Sequence, residues 1–160
     1  MSVPEVPSSR FVQWLHAVLP AMGVEVKDLP NSMGMEFESD GLTLSVSEHP
    51  NDDARVIVEV RVCPISPEVL SVSGAELMVL HQLNDRARRE HDWVISIDGE
   101  LGLTVGTSAR VSELDAQGLQ ALMATGLEKG EAVQMLWSDL TEPAASQPPP
   151  GDLSASALRI

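Results

Sequence analysis

The chain has 160 residues, 43% of them hydrophobic and 21% charged, yet it holds only two Phe, three Trp and no Tyr, so its core must be built from Leu, Val, Ile and Met. With 24 acidic side chains against 10 Lys and Arg, the formal charge of −14 argues against nucleic acid or membrane insertion and leaves solubility or a basic partner as its use. Apolar runs are too short to cross a bilayer, MSVPEVPSSR has no signal-peptide layout, and the one cysteine, Cys63, permits no internal disulfide, so a cytoplasmic location is expected.

Residues 1–8 read as a flexible lead-in, with Ser8 or Ser9 as the N-cap of a first helix. On that helix Phe11, Val12, Trp14, Leu15, Val18, Leu19 and Met22 cover one broad side, and Pro20 with Gly23 bring it to a stop. From Met33 the apolar period becomes two. Met35 and Phe37 alternate with Glu36 and Glu38, Leu42, Leu44 and Val46 with Thr43 and Ser45, and Val56, Val58, Val60 and Val62 with Arg55, Glu59 and Arg61. Asp40-Gly41 and the segment His49 to Asp53 carry turn chemistry between these strands, which predicts an antiparallel meander.

After Pro64 and Pro67, Ser73 and Glu76 form a capping box for a second helix. Leu77, Val79, Leu80, Leu83, Asn84 and Ala87 share one side of it, and Met78 falls among the polar residues opposite. A hairpin follows, with Trp93, Ile95 and Ile97 on one face of its first strand and Leu101, Leu103 and Val105 on one face of its second. A two-residue Asp98-Gly99 turn would set these triplets on opposite faces, so an odd-length turn or a bulge is predicted. Ser112 is a plausible cap for a further helix carrying Leu114, Leu119, Leu122 and Met123, weakened by Gly118, Gly126 and Gly130. Val133, Leu136, Trp137 and Leu140 predict a last amphipathic helix or a bent continuation ending near Leu140. Residues 141–160, rich in Pro, Ser and Ala, read as a disordered tail, leaving 9–140 as a single α+β domain of order α-β-β-β-α-β-β-α, with about five antiparallel strands.

Sequence motifs of catalysis are absent: there is no Gly-rich phosphate loop, H-E-x-x-H, C-x-x-C or G-x-S-x-G. His49 with Asp52 and Asp53 fits either an oxygen-rich metal site or a capped turn. His91-Asp92 fits either a catalytic pair or a helix end. Cys63 reads as a packed thiol, Arg86, Arg88 and Arg89 as a solvated face, and Asn84 as either a register-setting residue or a hydrogen-bonding partner of a nearby loop. No catalytic residue, metal or cofactor is expected.

The segment LMVLHQLNDRARREHDWVISIDGELGLTV, with its L-x-x-L-N element before a D-G hairpin, and the closing EAVQMLWSDL resemble the class I type III secretion chaperones, the Tir-chaperone or CesT-like group. The resemblance covers about residues 10 to 140 in element order. It implies a homodimer without enzymatic activity that holds the N-terminal segment of a secreted effector in extended form. It also implies dimer-interface candidates at Met78, His81, Gln82 and Asp85, and effector-binding candidates at Phe11, Trp14, Leu15, Met35 and Phe37. The Pro-rich tail departs from that family's compact pattern. A YbjN-like regulatory domain shares this element order and is the alternative; an enzyme using His49 or His91 is a third reading.

Overall fold

A computed structural model of the chain describes residues 9–24, 34–65, 80–85, 92–98, 100 and 102–141, with side chains to residue 139. Its elements are α1 (Arg10–Ala21), β1 (Gly34–Ser39), β2 (Leu42–His49), β3 (Asp52–Pro64), helical residues 80–85 (α2), β4 (Val94–Ile97), β5 (Gly102–Arg110), a 3-10 turn (Val111–Glu113) and α3 (Ala116–Thr141). The five strands form one antiparallel sheet in the order β1-β2-β3-β5-β4. This is the α+β arrangement expected from the change of apolar period along the chain.

The period-two pattern decides which side of the sheet is covered. Leu42, Leu44 and Val46 of β2, Val56, Val58, Val60 and Val62 of β3, and Leu103 and Val105 of β5 all lie on the side that α1 and α3 cover, and all are buried. Burying each such side chain is worth about 1.5–3 kcal/mol, so this aliphatic layer does the work that aromatic side chains do elsewhere. Two aromatic side chains join it, Phe11 on α1 and Trp93, 1% exposed, which packs under α3 beside Gly126.

Local chemistry fixes the ends of α1. Ser9 is the N-cap: its Oγ accepts from the Val12 amide at 3.2 Å and donates to Glu48 at 3.0 Å. At the other end the Gly23 amide donates to the Pro20 carbonyl at 3.1 Å and the Val24 amide to the Leu19 carbonyl at 3.0 Å. That closure needs Gly23 in the left-handed region, at φ +78°, where glycine alone has no Cβ penalty. Pro20 lies within the last turn, where its missing amide costs one bond to the preceding turn and no more.

The meander closes through Asp40 and Gly41, both at positive φ, which is the two-residue turn that matches strand twist. In the β4–β5 hairpin Ile95 pairs with Val105 and Ile97 with Leu103, and the Asp98 amide donates to the Gly102 carbonyl at 2.9 Å. Three residues separate Asp98 from Gly102, an odd number, and Ile95 with Val105 and Ile97 with Leu103 share a face as the pattern requires, while Gly99 and Leu101 lie outside the described residues.

Three expectations about the last helix change. Ser112 lies in the 3-10 turn, and Asp115 caps α3 instead, its Oδ1 accepting from the Gly118 amide at 2.7 Å. The glycines do not break the helix, which runs unbroken for 26 residues. Gly126 and Gly130, four apart and hence on one face, lie against Val60, and a Cβ on Gly130 would come within 2.8 Å of Val60 Cγ1. They let the helix backbone approach the sheet. Leu136, expected on the packed side, is 43% exposed, because Val133 and Trp137 take the inner positions of that turn.

Candidate binding surfaces

The α1 side of the sheet gathers the effector-binding candidates, and it separates them. Phe11 and Leu15, 0% and 2% exposed, belong to the core. Trp14, Met35 and Phe37 are half-buried and pack at its margin. Trp14 is held in place twice, by its Nε1–H donated to the Leu114 carbonyl at 2.7 Å and by the Phe11 ring at 5.8 Å between centroids. Met35 and Phe37 stand opposite Val46 and Leu44 on β1, an outer strand of the sheet.

The backbone of β1 is itself a binding feature. The pair Ser39 and Leu42 closing a two-residue turn is hydrogen-bonded, and such pairs alternate along an antiparallel ladder. Phe37 and Met35 therefore bond to β2, while Glu38, Glu36 and Gly34 direct their amides and carbonyls away from the sheet. Among the described residues no strand pairs with that edge.

The opposite edge is closed. The Asn84 side chain donates to the Ile95 carbonyl at 2.6 Å and accepts from the Ile95 amide at 2.5 Å, so α2 is fastened to the outer side of β4. Leu80 and Leu83 turn toward the core, and His81, Gln82 and Asp85 are exposed on the other side of the helix. Met78 lies outside the described residues, as do the Ser73 cap, His91 and the three arginines 86, 88 and 89. The sequence offered Asn84 a loop as partner; the structure gives it a strand edge. The signal for that was an amide on an apolar helix face directly preceding an edge strand.

The side of the sheet facing away from the helices carries Thr43, Ser45, Ile57, Glu59, Arg61, Thr104 and Gly106, with Val94 and Ser96 on β4. Arg61 pairs with Asp98 at 2.9 Å and Glu100 at 3.1 Å. Asp98 also accepts from the Gly102 and Glu100 amides at 2.8 Å each, and the Gly102 bond above all holds its carboxyl below the usual carboxylate range. Burial first, and the Asp98 charge second, push the Glu59 carboxyl above that range, with Arg61 and the Thr104 hydroxyl opposing. Burial also raises the Cys63 thiol, which is thereby less reactive.

The metal reading of His49 meets a geometric answer. His49 Nδ1 accepts from the Asn51 amide, Asp52 from the Ala54 amide and Asp53 from the Arg10 amide, so each side chain caps backbone. Among the described residues no group of three or more His, Cys, Asp or Glu is placed to hold a metal ion. No described helix is long and apolar enough to cross a membrane.

No protein-family model matches the sequence, and no curated protein matches it. Solved structures do. A chain of the ExsC–ExsE complex superposes with a TM-score of 0.62 at 15% identity, covering 81% of this chain and 95% of that one. The HopA1–SchA chaperone–effector complex gives 0.61 at 12% identity, covering 79% and 94%. The Yersinia pestis type III secretion chaperone SycH, crystallised with a fragment of YscM2, gives 0.53 at 8% identity, covering 76% and 98%. The chain carries the fold of the class I type III secretion chaperones, over nearly the whole length of those structures.

Proposed function

We propose that this protein is a type III secretion chaperone: a homodimer without enzymatic activity that acts in the bacterial cytoplasm and keeps the N-terminal segment of a secreted effector extended until export. The observation that carries the reading is the fold shared with a type III secretion chaperone crystallised with a fragment of YscM2 and with a chaperone–effector complex. The local geometry supports it. Asn84 holds one sheet edge at Ile95, while among the described residues no strand pairs with the β1 edge beside Met35 and Phe37, which suits strand addition by an extended peptide. Trp14, Met35 and Phe37 are the contacts assigned to the client, with Phe11 and Leu15 supporting them from within. Residues 9–140 form the working domain. His81, Gln82 and Asp85, with Met78, are the residues assigned to the dimer.

The test is co-expression of the full chain with the secreted proteins of its host. A stable complex with one effector's N-terminal segment is expected, abolished by Met35→Glu combined with Phe37→Glu in protein that keeps its wild-type circular dichroism. A strict monomer by light scattering at micromolar concentration, or a client bound equally well by the double variant, overturns the reading.

A further inference from the structure

Gly106 lies on the side of the sheet that α1 and α3 leave uncovered. It lies in the interior of β5, paired with Glu59 on one side and Val94 on the other. Its φ is not positive. The three atoms nearest to a Cβ placed there all belong to the Glu59 side chain, at 3.5 Å, which is ordinary contact. Glycine inside a strand is about 0.5–1 kcal/mol worse than alanine. Among the described residues neither a positive φ nor crowding accounts for that cost, and close approach by a ligand or another chain is one of the uses a strand glycine serves.

Gly106 lies in the lining of an open notch of about 240 Å³. Ile57 and Val94 supply its apolar walls, and Val94 is 42% exposed. Its titratable groups are the carboxyls of Glu59 and Asp92 and the imidazole of His49. Three arginines share this face: Arg55 is bonded to Ser108 at the rim, Arg61 to Asp98 and Glu100, and Arg110 pairs with Glu113, and none of the three is itself a lining residue.

We propose that the notch over Gly106 seats a lysine or arginine side chain of the bound client segment, with the methylene stem against Ile57 and Val94 and the cationic head at Glu59. Long cationic side chains bury their stems in this way while keeping the charge at a polar group. The carboxyls of Glu59 and Asp92 in the notch lining are what select a cationic occupant, and a basic client segment supplies one. The source of the side chain rests on the chaperone reading; the chemistry of the notch does not.

The test uses the intact ¹⁵N-labelled protein and the capped pentapeptide SVKVS, with a counterpart carrying norleucine for lysine. Saturable shifts are expected at the amides of Gly106, Glu59 and Val94, with norleucine binding roughly ten-fold weaker for the lost charge-assisted contact. Gly106→Val fills the notch and Glu59→Gln removes the charge; each abolishes the lysine preference, and Gly106→Ala serves as a milder filling if the valine variant misfolds. Equal binding of both peptides, an unaltered preference in the variants, no saturable shift, or concentration-dependent shifts of the same amides without peptide all overturn the proposal. A client segment held equally by wild type and Gly106→Val overturns the notch and leaves the chaperone reading standing. A lysine-specific notch in a protein that holds no secreted client does the reverse.

Discussion

Asn84 holds Ile95 by both of its backbone groups, so one side-chain amide stands where the backbone of a sixth strand would otherwise lie. Asn84→Ala leaves a donor and an acceptor of an edge strand unsatisfied and is expected to cost about 1–3 kcal/mol in urea denaturation. The Ile95 amide should then exchange faster than its neighbours in β5. Asn84→Asp keeps the acceptor but sets a carboxylate against the Ile95 carbonyl, so it should not restore stability at neutral pH. Exchange at Ile95 unchanged in Asn84→Ala would show that another group closes this edge.

Gly130 sets the height of α3 above the sheet. Gly130→Ala improves helix propensity by up to about 1 kcal/mol but drives a methyl into Val60, and overpacking of a core costs about 1–3 kcal/mol. A net loss of stability is expected, measured as a lower urea midpoint with an unchanged slope. Combining it with Val60→Ala should cost less than the sum of the two, since the second change makes room for the first. Strict additivity would place the strain elsewhere.

Two carboxyls on the uncovered face titrate with opposite consequences. Asp98 is held below its ordinary value, first by the Gly102 amide, so its stabilising contribution is complete above about pH 4 and is lost as pH falls below that through its folded value. Glu59 is raised, so it favours the folded state in acid, and that contribution is lost as pH rises through its ordinary value toward its folded one. Glu59→Gln is therefore expected to be more stable than wild type at pH 7, with the advantage shrinking below about pH 4. Asp98→Asn should be less stable at pH 7 and converge with wild type in acid. Thermal melts of the three proteins from pH 3 to 8 decide both signs.

Much of the sheet was legible because its strands are half-buried: Val56, Val58, Val60 and Val62 with Arg55, Glu59 and Arg61 between them can pair only one way against a covered face. The odd hairpin turn followed from the same parity at Ile97 and Leu103. Glycine was harder to read. Gly126 and Gly130 depress helix propensity wherever they fall, and only the position of Val60 shows that they are there for clearance. The cap at Asp115 was missed because Ser112 satisfies the same local rule three residues earlier, and the choice between them depends on where β5 delivers the chain. The candidate surfaces were legible as residue types and not as exposures: Phe11 and Trp14 look alike in a helical pattern, yet one is sealed in the core and the other lies at its rim.

The ladder between β3 and β5 joins two pieces that are each local in sequence, the β1–β3 meander and the β4–β5 hairpin, by pairing Arg55 with Arg110 and Pro64 with Gly102. Loop closure must be met before those contacts are rewarded, so this seam sets the speed of folding. Substitutions along it, such as Val58→Ala or Val105→Ala, should slow refolding in proportion to the stability they remove, whereas Phe37→Ala at the outer strand should mainly hasten unfolding. The chain would then reach its native state by knitting two preformed hairpin units together, with the meander and its open edge assembled before the joint is made.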